Sequence, residues 1–145
     1  MGEPHGILQG KDLSVSRARG EDLLEFVNRF AEAKEIKTGV VSAIGSLKDP
    51  KIGYFDEDIN DYRIIELEGT FEMVSLVGNV SLRNEKPFAH IHVALGDGEG
   101  RLYGGHLFEG KVFVAEVFIQ ELKGSPLERK ERKNGLSLWE EEPLE

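Results

Sequence analysis

A chain of 145 residues, 39% apolar and 31% charged, can bury one sizeable core, and it contains no cysteine, which excludes disulfides and thiolate chemistry. Acidic residues outnumber basic ones 27 to 18, so a formal net charge of −9 sets the whole-molecule field against a polyanion such as the DNA backbone. No apolar run approaches the ~20 residues of a membrane span. Met1-Gly2-Glu3-Pro4-His5 lacks the basic and apolar regions of a signal peptide. The expected location is the cytoplasm, and the expected organisation is a single domain over residues 1–145, with a core from about 5 to 138 and a short acidic tail.

In chain order, Gly6 to Gln9 and Leu13 to Ser16 show short apolar alternations and predict one or two strands, with His5 a solvated residue near the terminus. Gly20-Glu21-Asp22 opens a helix. Leu23, Leu24, Phe26, Val27, Phe30, Ala31 and Ala33 keep a helical apolar stripe while Glu25, Arg29, Glu32 and Lys34 face out. The acidic residues of its first turn suit the positive end of the helix dipole. The helix is expected to end near Lys34 or Glu35, ahead of Thr38-Gly39.

From Gly39 the pattern becomes that of sheet. Val40 to Gly45 predicts a buried strand, and Lys51 to Phe55 its continuation or partner. Asp56-Glu57-Asp58-Ile59-Asn60-Asp61 is a polar hairpin tip, since its acids lack the spacing of a calcium loop. Tyr62 to Leu67 is the next strand, followed by a long one from Thr70 to Leu82 with Gly78 expected to be a bulge. Arg83 to Pro87 is a turn leading into the histidines. Beyond them, Lys111 to Leu122 has central-strand character, with Glu116 on a solvated or interface face or near a metal. Ser125-Pro126 breaks it, Glu128 to Lys133 predicts a solvated loop or short helix, Asn134-Gly135 a turn and Leu136 to Trp139 a short strand. One main helix among some seven or more strands predicts an α+β fold with a mainly antiparallel sheet.

The chemistry concentrates in His90-Ile91-His92-Val93-Ala94-Leu95, the glycine-rich Gly96 to Gly100, and Tyr103-Gly104-Gly105-His106. His90 and His92 alternate with apolar residues, as in a half-buried strand, and side chains two apart share a face. A hairpin loop of Gly98–Gly100 sets His106 opposite His92, and a loop of Asp97–Glu99 sets it opposite His90. Either gathers three imidazoles on one face, a donor set that zinc accepts. A two-residue loop turns His106 to the other face. The glycines serve the turn. No helical pattern follows them, so they form no phosphate-binding loop.

Four blocks carry a resemblance. Gly20-Glu21-Asp22, Val40 to Leu47, Gly69 to Asn79, and His90-Ile91-His92 with Gly104-Gly105-His106-Leu107 are similar, in this order, to the PPC domain, the plants-and-prokaryotes-conserved domain. The resemblance covers about residues 5 to 138. It implies an α+β fold assembled as a homotrimer, and a site in which His90, His92 and His106 bind zinc or another divalent ion. Plant members join this domain to an AT-hook, Arg-Gly-Arg-Pro. The present chain has Arg17-Ala18-Arg19-Gly20 and no such element. The plant Gly-Arg-Phe-Glu segment, linked to protein contact, is here Gly69-Thr70-Phe71-Glu72 without its arginine.

Three functions follow from these residues. The first is a trimeric, metal-binding interaction or regulatory module with an unidentified protein partner. The second is a zinc enzyme, in which three histidines leave a position for activated water and Glu116, Glu109 or Glu72 is the general base. The third is a DNA-binding protein, as the family label suggests. Net charge and the missing AT-hook generate a testable expectation about the third. At physiological salt, binding to A·T-rich duplex should stay within the non-specific range of ~10⁻⁴–10⁻⁶ M. A salt-resistant nanomolar complex in a fluorescence titration would reverse that order.

Overall fold

The computed structural model describes residues 13–15 and 19–140, for the first three of these as backbone only. It contains β1 (Leu13–Val15), α1 (Leu23–Ala33), β2 (Gly39–Asp56), β3 (Asp61–Glu66), β4 (Thr70–Arg83), β5 (Lys86–Gly96), β6 (Leu102–Glu121), β7 (Glu128–Glu131) and β8 (Ser137–Trp139). The α+β fold with one helix and a mostly antiparallel sheet is therefore as expected. His5, Gly6–Gln9, Ser16–Ala18 and the tail beyond residue 140 lie outside the described residues.

The sheet runs in the order β3-β2-β6-β5-β4-β7-β8, and β2 pairs with β4 as well as with β6. Strands β2, β6, β5 and β4 thus form a closed circuit, which removes most free edges from the centre of the fold. The pairing row Phe118–Ser42–Val77–His92–His106 shows the stagger this closure requires. It leaves β6 at Phe118 and returns to β6 twelve residues upstream. Long strands make such a circuit possible. The two segments predicted around Ser46–Pro50 are one continuous strand, β2, and the run after His106 is likewise continuous with the histidine hairpin.

Helix α1 is fastened to β6 at its start. Asp22 caps it, one carboxylate oxygen accepting from the Glu25 amide (3.1 Å) and the other from the Gly110 amide of β6 (2.8 Å). Val112 adds two backbone bonds, to Gly20 and Glu21. Leu23, Val27 and Ala31 on the buried stripe meet Val41, Leu76, Ile91, Val117 and Ile119 from the inner face of the sheet in one core cluster. Helix residue Asn28 accepts a bond from the Ala89 amide (2.7 Å), which fixes β5 one residue before His90.

Two expectations are corrected. Gly78 is not a bulge, since it pairs regularly with Val41 and Ile91, and the register shifts fall at Ala43/Gly45 and Met73/Ser75. Its glycine is required because a Cβ would lie 2.2 Å from the His90 carbonyl oxygen. Glu128 to Lys133 is not a solvated loop or helix either. Its first four residues form β7, parallel to β4, and Arg129 is only 6% exposed. Charge composition alone hid this strand, because the guanidinium is held by hydrogen bonds that the local sequence does not contain.

At the β2 bulge, Gly45 has φ +141°, and a Cβ there would stand 2.1 Å from the Val114 carbonyl oxygen. Gly45→Ala should destabilise the fold by roughly 2 kcal/mol or more, as expected where backbone strain and steric overlap combine. Gly98→Ala, with nothing within 4 Å, should change stability by less than about 0.5 kcal/mol. Urea unfolding midpoints of the two variants provide the comparison.

Candidate metal centre and its adjoining cavity

The β5–β6 hairpin pairs His92 with His106, Ala94 with Gly104 and Gly96 with Leu102, which is the register of a loop centred on Gly98–Gly100. The loop is closed by the Asp97 amide donating to the Arg101 carbonyl (2.9 Å). The Asp97 side chain completes it. One oxygen accepts from the Glu99 and Arg101 amides (2.9 Å each) and the other from Arg101 Nε (2.8 Å). These bonds, the Arg101 side-chain one foremost, hold the Asp97 carboxyl below the usual carboxylate range.

In this register the three imidazoles converge. Ring centroids of His90 and His92 lie 5.1 Å apart, those of His90 and His106 5.1 Å, and those of His92 and His106 5.6 Å. His90 Nε2 and His92 Nε2 approach to 3.2 Å, and one ligand atom from each of the three rings falls within 4.8 Å of the others. Burial pushes the pKa of His90 down to about 4, helped by the Arg129 guanidinium and His92. Burial does the same to His106, also to about 4, assisted by the two other imidazoles and Arg129. Both rings are therefore neutral at pH 7, the form that donates to a cation.

Nδ1 of His106 is buried without a hydrogen-bond partner. An orphaned ring nitrogen beside two further imidazoles fits a metal-binding donor set better than a satisfied structural cluster, because an unpartnered buried polar atom otherwise costs stability. Tyr62 and Phe108 flank the His106 ring, at 5.3 and 4.7 Å between centroids. They screen it on one side from water.

Beside His90 and His106 opens a cavity of about 290 Å³, walled by Tyr62, Phe88, Phe108, Leu136, Ser137 and Arg83 among others. Among the described residues that line it, none is a carboxylate. The three glutamates considered as general bases lie elsewhere. Glu109 pairs with Lys51 (2.5 Å), Glu116 is opposite Ile44 on the exposed outer face, and Glu72 pairs across to Ser46 and Gly96. Tyr62, Phe108, Arg83 and Arg129 were not singled out by the sequence. Tyr62 and Arg129 reach the site through strand pairings distant in sequence, whereas Phe108 stands two residues after His106 on β6 and was open to a same-face reading.

Arg129 lies across the outside of β4 at this point. It donates to Ser81 Oγ (2.8 Å), Asn79 Oδ1 (2.6 Å) and the Ser137 carbonyl (2.9 Å), with the Trp139 ring 4.7 Å from its guanidinium carbon. Trp139 Nε1 donates to the same Ser81 hydroxyl (3.0 Å). These contacts fix β7 and β8 beside the histidines, where Leu136, Ser137 and Leu138 contribute to the cavity wall.

A closed antiparallel sheet with one helix and three clustered imidazoles defines a β-rich protein with a candidate metal centre. The chain belongs to the Plants and Prokaryotes Conserved (PCC) domain family, whose profile matches residues 9–123. The fold is that of a plant- and prokaryote-conserved protein of Pyrococcus horikoshii, 50% identical with a TM-score of 0.88 over 93% of this chain and 94% of that one. It is also that of a metal-containing protein of Archaeoglobus fulgidus, 41% identical with a TM-score of 0.84 over 97% and 100% of the two chains. A protein of Bacteroides thetaiotaomicron provisionally described as DNA-binding shares the fold at 23% identity, with a TM-score of 0.84 over 95% and 96%. In sequence, 88 residues are 34% identical to the bifunctional protein GlmU of Synechococcus sp. (strain JA-3-3Ab), and this chain spans 13% of that protein's length.

Proposed function

We propose that this protein is a homotrimeric, metal-binding interaction module of the cytoplasm, acting as one domain, with His90, His92 and His106 holding a divalent ion, zinc in the first instance. The observation that carries the reading is the convergence of one ligand atom from each of the three rings within 4.8 Å. The neutral state of His90 and His106 supports it, and so does the metal-containing description of the Archaeoglobus relative. Zinc fits imidazole donors and would supply Lewis acidity when bound. The chain's own contribution is to fix the rings: Asn28 anchors β5 ahead of His90, Asp97 sets the register of His106, and Tyr62 and Phe108 limit water.

The enzymatic reading ranks below binding, because none of Glu72, Glu109 and Glu116 lines the cavity beside the histidines. DNA binding ranks lower still. The likeness to the Bacteroides protein, at 23% identity, carries the fold alone, and the net charge of −9 opposes it. Among the described residues no helix is long and apolar enough to cross a membrane.

The trimer rests on the outer face of the sheet. Val112, Val117, Ile119 and Met73 point inward and are buried, whereas Val77 (60% exposed), Phe118 (59%), Ile44 (54%) and Val74 (54%) lie uncovered on the other face. The β8 segment does not cover them, since Trp139 is engaged with Ser81 and Arg129. An apolar patch of this kind favours association. Identical chains are the simplest cover, and three copies rather than two are what the resemblance to the PPC domain implies.

Protein purified without a tag or chelator should contain about one divalent ion per chain by elemental analysis. His92→Ala, at an exposed position, should abolish the ion while leaving the fold intact; full retention would remove these residues as ligands. In solution, light scattering should return three times 16.2 kDa. Phe118→Glu should reduce the mass to that of one chain, and a wild-type protein already monomeric at micromolar concentration would end the trimer assignment.

A further inference from the structure

The cavity beside the histidines is electropositive in a protein that is otherwise acidic. Among the described residues no acidic side chain is in its wall, while the Arg83 guanidinium is. Arg83 stacks its guanidinium over Phe88, 3.9 Å from the ring centroid, and both residues line the space. Arg129 lies close behind, and every hydrogen-bond acceptor it uses is uncharged. Among the described residues no carboxylate is within ion-pair distance of either guanidinium. Two neighbouring cations, one of them buried, normally require a counter-charge. The described residues supply none here.

A second observation points the same way. Ser137 is a residue of the cavity wall, and its buried Oγ has no hydrogen-bond partner among the described residues, which leaves its hydroxyl proton unused. Around these groups Tyr62, Phe88, Phe108, Leu136 and Leu138 form an apolar, largely aromatic lining. Convergent polar groups in an apolar wall are the pattern of a small-molecule site, and about 290 Å³ is near the lower end of the size range such sites have.

We propose that this cavity binds a small organic anion, a carboxylate or phosphate ester carrying an apolar or aromatic body, with the charged end facing Arg83 and the Ser137 hydroxyl and the body against Tyr62, Phe88 and Phe108. The site goes beyond metal binding and rests on the chain's own cations. An ion on His90, His92 and His106 would add to the attraction without being its only source. A guanidinium presents a planar fork of donors to either anion, and stacking on Phe88 holds that fork in place.

Calorimetric titration of wild-type protein, with its metal content measured on the same sample, tests this. The probes are benzoate, phenyl phosphate, and as controls the neutral benzamide and the cationic benzylamine. Benzoate or phenyl phosphate should bind at least about tenfold more tightly than benzamide, with benzylamine weakest, because a charged hydrogen bond is at stake. Whichever anion binds better identifies the source of the charge. Arg83→Met should weaken the anion by about ten- to a hundredfold, and Arg83→Lys should restore part of the loss. Metal content should be unchanged in both variants. Equal binding of benzoate, phenyl phosphate and benzamide, no binding of either anion, or an unaffected Arg83→Met would overturn the proposal. A sample that binds the anion yet holds no metal would instead refute the metal reading and leave this one standing.

Discussion

The Asp97 carboxylate holds the tip of the β5–β6 hairpin through two backbone amides and the Arg101 side chain, and this decides which residues of β6 face which residues of β5. The consequence is large because strand side chains alternate in direction. A slip of one residue would send His106 toward the core and carry buried Leu107 outward. It would also lose the pairing of His92 with His106, and with it the convergence of three rings. The same hairpin end joins β5 to β6 in the closed circuit of strands, so the clamp bears on the barrel as well as on the site.

Closure explains why glycine recurs where strands approach most closely. The circuit is small and strongly staggered, and β2 must bend between β4 and β6 while pairing with both. At Gly45 and Gly78 the neighbouring backbone occupies the space that a Cβ would need. The sequence shows these glycines as interruptions of strand pattern, and a bulge is the natural local reading. Only the third strand, distant in the chain, reveals that Gly78 answers a contact rather than a local distortion.

The legible features were those whose cause is local. Helix α1 was visible in its apolar period and in the acids of its first turn, and Asp22 indeed caps it. The histidine strand was visible as alternation, and a loop centred on Gly98–Gly100 was one of the registers open to it. What escaped depends on partners far away in sequence. Arg129 reads as one charge in a mixed-charge run, yet it is buried because Ser81 and Asn79, some fifty residues earlier, present acceptors to it. Tyr62 reads as an ordinary residue at the end of a polar hairpin. It joins the site because β3 pairs with β2, β2 pairs with β6, and Phe108 and His106 follow on that strand.

The exposed apolar face and the histidines are also less separate than their positions in the chain suggest. Cross-strand partners share a face, and Val77 is the direct neighbour of His92 on the row that ends at His106. Phe118 begins the same row on the far side of the circuit. His90 and His106 are partly buried within one chain, whereas His92 is exposed. A cover that removes Val77 from water must therefore pass close to His92, the exposed one of the three clustered imidazoles. Under the proposed assembly, packing against Val77 and ordering of His92 act on adjacent side chains, so metal uptake and association draw on the same few residues. By linkage, a ligand that favours the ordered His92 would stabilise the associated state by the same free energy with which association favours the ligand.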